Sequence, residues 1–197
     1  LDISGKGLYS GVSINAITGQ QESVTVDHSR CGGSHGGMGG CNLESQQREV
    51  YGDPRAPVLL GGGAVTTGWV SGYRVGGSGG GAMRVSATTL LVDGQILANG
   101  GDGRNNNNWD GGGGAGGSLW LEVTTFDGTG YISAAGGSDY AGTEHSSEGG
   151  RAGGGGRIRI DYETKTFEGS ITTAPGTGYR AEPGSFGTVF MKSTANT

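Results

Sequence analysis

A glycine-rich phrase recurs along this chain, and that recurrence limits its possible folds more than any other feature. It reads GGGAMRVSATTLLVDGQILANGG from Gly79, AGGSLWLEVTTFDGTGYISAAGG from Ala115 and GGGRIRIDYETKTFEGSITTAPG from Gly154. Laying Met83 over Leu119, Ile158 and Val189 gives steps of 36, 39 and 31 residues, and the first two steps also lay Ile96 over Ile132 and Ile171. Self-similarity at such a period marks a stacked repeat architecture, because one unit of this size cannot bury its apolar face alone.

Each full repeat divides into three short strands, in the first copy 82–87, 89–92 and 95–98. The pairs Asp93-Gly94, Asp127-Gly128 and Glu168-Gly169 fall at the corner before the third strand. An acid followed by glycine suits a corner: the carboxylate accepts a backbone N–H and glycine takes the positive φ closed to other residues. After the third strand come polar loops of variable length at 102–110, 138–148 and 177–183. Because the insertions occupy the same place in every repeat, stacking brings them to one edge. The Gly runs at 76–81, 111–117 and 149–156 then lie over one another, either as extended polyglycine stitched by backbone hydrogen bonds or as flexible linkers.

This pattern predicts an all-β fold, a right-handed parallel β-helix (β-solenoid) with Gly-rich corners and long loops on one edge. It forms one domain, with residues 1–17 as a first partial coil, 18–78 as a long excursion and 79–197 as the repeated coils. LDISGKG at the start lines up with ILANGGD from Ile96, so the chain is expected to begin inside a repeat, as in a larger parent or in a protomer that stacks end to end.

Composition removes the competing classes. Glycine makes up 47 of 197 residues and only 32% are hydrophobic, which by itself fits disorder. A disordered linker has no reason, however, to hold Ile, Leu, Val and Phe in short alternating runs at a fixed period. Collagen fails because glycine does not recur at every third position. A formal charge of -5 with scattered Lys and Arg gives no basic stripe for nucleic acid, and no apolar run is long enough to span a bilayer.

Cys31 and Cys41 enclose the Gly-rich loop CGGSHGGMGGC. A disulfide closing this loop is the leading expectation and implies an extracellular or cell-surface address. Together with His35 and Met38 the same cysteines form a cluster of soft ligands for copper or zinc, and His35 otherwise reads as a surface or corner residue. No cofactor is required, although GDGRNNNNWDG from Gly101 offers Asp102 and Asp110 as weak calcium ligands without the spacing of an established calcium loop. Trp109, Tyr140 and Tyr179 in the repeat loops, with Trp69 and Tyr73 in the excursion, are candidates for stacking on sugar rings, and packing or assembly explains them equally well. Asp102, Asp110, Asp139, Glu144, His145 and Glu148 are the loop groups an enzyme acting on polysaccharide would draw on, and none falls in a recognisable catalytic motif. No N-x-S/T acceptor occurs.

Taken as a set, CGGSHGGMGGC, YGDPRAP, GGGAMRV, ILANGGDG, GGGAGGSLWLEV, ISAAGG, GGGGRIRIDYE and GTVFMK resemble the glycine-rich parallel β-helix repeats of large extracellular surface proteins. The resemblance covers nearly the whole chain and implies a secreted solenoid module; it brings no catalytic residues. The expected function is therefore structural. Leu1 and Ile3 at one end and Val189 and Met191 at the other form open strand layers through which copies, or further repeats of a parent, join head to tail into a fibre or surface layer. A carbohydrate-binding adhesin module using the aromatic loops on extracellular polysaccharide is the alternative, and a polysaccharide-active enzyme the third.

Overall fold

The structure, a computed structural model, describes residues 1–15, 18–23, 31–41, 48–64, 76–106, 109–139, 151–178 and 183–195. Its strands in chain order are β1 (Val12–Ile14), β2 (Gln21–Ser23), β3 (Ala82–Leu91), β4 (Gln95–Leu97), β5 (Asn105–Asn106), β6 (Trp109–Asp110), β7 (Ser118–Asp127), β8 (Tyr131–Ser133), β9 (Arg157–Lys165), β10 (Ser170–Thr172) and β11 (Thr188–Ser193). No helix occurs among the described residues. The protein is all-β, and its two main sheets are parallel throughout.

Both sheets are ordered by repeat. The larger runs β11-β9-β7-β3, and Met83, Leu119, Ile158 and Val189 share one row across it. The smaller runs β10-β8-β4, with Ile96, Ile132 and Ile171 in one row. Residues 1–3 continue it beyond β4: Asp2 pairs with Leu97 in parallel, and Ile3 N–H donates to the Leu97 carbonyl at 2.8 Å. The alignment of the apolar rows read from the repeats is thus the pairing register of both sheets. Alternation drives it: in β7, Leu119, Leu121 and Val123 turn inward while Trp120 and Glu122 turn outward, the period-2 arrangement of a strand with one buried face. Inward residues of both sheets meet in one core around Leu121, Phe126, Ile132 and Ile160.

The structure corrects the strand count and the corner chemistry. The expected strands 82–87 and 89–92 are one continuous strand, β3, whose pairing with β7 skips Thr88 and Thr124. At that skip the alternation slips by one residue, so Phe126 rather than Thr125 turns inward, where it stacks on Phe167 with ring centroids 4.4 Å apart. Asp127 Oδ1 does accept the Gly128 N–H, at 2.8 Å, and Asp93 Oδ1 accepts Thr129 N–H of the next repeat at 3.1 Å. Among the three corner glycines only Gly128 has a positive φ, +114°. The paired rows Leu91–Asp127 and Gln95–Tyr131 leave three residues in each corner, so Thr129-Gly130 stands where the first repeat has Asp93-Gly94, and Asp127-Gly128 lies two positions earlier rather than at the matching place.

The Gly runs are a second structural layer. Along 113–117 successive N–H groups point in three directions: Gly113 to Arg151 of the next repeat, Gly114 to Gly101, Ala115 to Gly62, then Gly116 to Gly154 and Gly117 to Ala98, at 2.7–2.9 Å. Three residues per turn without internal hydrogen bonds describes an extended polyglycine helix, and here its backbone groups bond to neighbouring runs in place of water. Residues 98–101 and 134–137 form one side of this bundle, and residues 31–41 and 61–64 of the excursion form the other. A smaller core of Leu8, Val12, Ile14 and Tyr51, backed by Leu59 and Leu60, lies under the excursion.

Candidate functional site

The cysteine loop is tied into this bundle. Cys31 and Cys41 are buried and disulfide-bonded, which removes the thiolates that a soft-metal site at this loop requires. His35 is fully buried, not at a surface or a corner. Its Nδ1 donates to the Gly116 carbonyl at 2.9 Å, its ring lies 4.9 Å from that of Tyr51, and its buried Nε2 has no hydrogen-bond partner. Burial, with the Arg157 charge adding to it, lowers the imidazole pKa from 6.5 to about 4. Arg157 in turn donates from Nε to the Tyr51 carbonyl at 3.0 Å and from Nη1 to Thr188 Oγ1 at 3.1 Å, so β9, β11 and the excursion are held by one side chain. Met38 is exposed, and its N–H bonds Ser185 Oγ at 2.7 Å.

Of the loop candidates, Asp102 has a structural role, its Oδ1 accepting Ser138 N–H at 2.7 Å. Gly103 N–H donates to the Ser138 carbonyl and Asp139 N–H to the Thr177 carbonyl, so the roots of the three variable loops are bonded to one another and leave from one edge. Trp109 and Asp110 form β6, paired antiparallel with β5. Trp69, Tyr73, Tyr140, Tyr179, Glu144, His145 and Glu148 lie outside the described residues. Among the described residues, no group of three or more His, Cys, Asp or Glu side chains is placed to hold a metal.

The ends of the sheets carry the four assembly candidates. Leu119, Leu121, Ile158 and Ile160 in the inner strands are 0% exposed, whereas Val189 and Met191 in the same rows of β11 are 41% and 37% exposed. Met83 and Val85 of β3, at the opposite edge, are only partly buried. Leu1, at the free side of the smaller sheet, is 71% exposed, and Ile3 is half-buried against Gly81.

The outer face of the larger sheet holds a set of functional groups that no sequence motif announces. One row across the strands is Arg84, Trp120, Arg159 and Phe190. The Arg84 and Arg159 guanidiniums lie 4.1 and 4.6 Å from the Trp120 ring centroid, on neighbouring strands to either side, and Arg159 lies 5.8 Å from Phe190. The next row is Ser86, Glu122, Asp161 and Lys192. Asp161 accepts a forked pair of bonds from Arg159 at 2.6 and 3.0 Å, and one from Trp120 Nε1 at 3.0 Å. Arg84 pairs with Glu122, and Arg159 Nη1 also donates to the Arg55 carbonyl of the excursion. Beside the ridge runs a groove of about 630 Å³ lined by Ser86, Thr88, Glu122, Thr124, Asp161 and Lys192. The signal for this face was in the repeat alignment itself: the offset that stacks Met83 on Leu119 stacks Arg84 on Trp120.

No protein-family model matches the chain, and neither curated proteins nor solved structures give a match. The fold and site define an all-β protein of parallel sheets carrying one buried disulfide. No helix among the described residues is long and apolar enough to cross a membrane.

Proposed function

We propose that this chain is a right-handed parallel β-helix of the glycine-rich surface-protein kind, acting as an extracellular structural module that joins copies of itself, or further repeats of a parent, head to tail. One observation carries the reading: the same apolar rows that are fully buried in β7 and β9 continue into β3 and β11 and lie open there. An uncovered apolar layer bounded by unpaired backbone groups is a template for another strand. The disulfide supports an oxidising, extracellular setting.

The expectation is checked by negative-stain electron microscopy and light scattering across a concentration series. Each copy presents four strand levels, so filaments should show an axial repeat of about 19 Å per copy. A chain that stays monomeric up to high concentration sinks the assembly reading and moves attention to the loop edge, where the carbohydrate-binding alternative places its ligand.

A further inference from the structure

The side-chain row on the outer face has an order that the buried rows lack. Reading from β3 to β11 it runs cation, ring, cation, ring: Arg84, Trp120, Arg159, Phe190. Within one copy every neighbouring pair is a cation beside an aromatic ring, at 4.1, 4.6 and 5.8 Å. The two edge strands therefore end on opposite members of the alternation, a guanidinium on β3 and a phenyl ring on β11. The Arg84 side chain is 57% exposed and pairs with Glu122. The two buried rows exclude a shift by one residue, but being apolar at every level they discriminate little between registers two residues apart. The neighbouring row ends on Ser86 at one edge and Lys192 at the other, which adds no like-charge clash at a junction.

We infer that this row is the register code for joining a second copy of the chain: Phe190 of one copy stacks against Arg84 of the next, continuing the cation–ring alternation across the junction. The inference rests on the head-to-tail reading above and names the surface that selects the partner. In that register β11 lies beside the next copy's β3, Val189 meets Met83 and Met191 meets Val85, so both buried rows continue. The smaller sheet continues at the same junction, because residues 1–3 of the incoming copy occupy the place after β10, with Leu1 beside Ile171. Each sheet then gains four levels per copy, and neither is left a strand short. A shift by one residue along the strand would put Phe190 beside an inward Met83 or Val85, and two residues would set it against Ser86, losing the cation–π contact in either case.

The test uses two single variants of the whole chain, Phe190→Lys and Arg84→Glu, each assayed alone and mixed in equal amounts, by light scattering and electron microscopy. Alone, Phe190→Lys sets an ammonium against Arg84, and Arg84→Glu sets a carboxylate against the π face of Phe190. Each is expected to raise the concentration needed for half-assembly by at least about tenfold. The mixture is expected to restore filaments of alternating copies. At one junction the new ammonium of the first variant meets the new carboxylate of the second, and at the other the unaltered Phe190 meets the unaltered Arg84. Recovery on mixing cannot come from variants that fail to fold. Wild-type filaments with variants that assemble equally well alone would overturn the code and leave head-to-tail joining standing. Variants that fail alone and are not restored by mixing would overturn it too. A wild-type chain that forms no filaments at all removes both the code and the reading beneath it.

Discussion

Glycine in this protein is a packing residue far more than a flexible one. At Gly116 a methyl group would overlap the Ala134 carbonyl oxygen and crowd Gly156 N, both backbone atoms of neighbouring runs that cannot rotate away. Gly116→Ala is therefore expected to cost about 3 kcal/mol in chemical denaturation, through overpacking and the hydrogen bonds lost when the runs part. Gly94→Ala is the contrasting case: its corner has open space and no positive φ, so the change should stay within about 0.5 kcal/mol. His35 belongs to the same scale. Its folded pKa of about 4 lies below the ordinary 6.5, so the unfolded chain binds the extra proton first. Its contribution is then complete above about pH 6.5 and lost as pH falls toward 4. A shift of that size corresponds to about 3 kcal/mol. Unfolding measured from pH 7 to pH 4 should show wild type losing about this much more stability than His35→Asn, the difference isolating His35 from the carboxylates.

At the level of elements, position within the stack decides what an apolar side chain of similar size is worth. Leu121 and Met191 occupy one row, the first fully buried between β3 and β9 and the second open on β11. Leu121→Ala removes a filled core position and should cost about 3 kcal/mol. Met191→Ala should cost under about 1 kcal/mol in the monomer, because much of its surface is already in water. Denaturation of the two variants under non-assembling conditions measures the gradient directly. Equal costs would mean that β11 is covered in solution by something other than solvent.

For the whole molecule, the parallel sheets and the polyglycine bundle share one stacking direction. The bundle supplies stiffness from backbone hydrogen bonds alone, with Gly113, Gly114 and Ala115 each bonding a different neighbour. The sheets supply the apolar rows. On the head-to-tail reading proposed above, every added level would bury the open face of the one before it. The axial repeat of about 19 Å expected for filaments follows from that geometry, as four levels at strand spacing. Arg157 ties the excursion to β9 and β11, and the disulfide closes the loop by which the excursion joins the bundle.

The sequence by itself determined the pairing rows of both parallel sheets, down to Met83 on Leu119 and Ile96 on Ile132, and the corner roles of Asp93 and Asp127. It could do so because each repeat puts the same residue type into the same environment, and a period written several times over averages out local ambiguity. The tertiary structure alone decided that 82–91 is one strand, that His35 is buried, and that Arg157 reaches the excursion. His35 meets Gly116 across 81 residues, and Arg157 meets Tyr51 across 106. Such contacts join the one non-repeating stretch to the repeats, and a partner reached only through the fold leaves no period in the chain that could announce it.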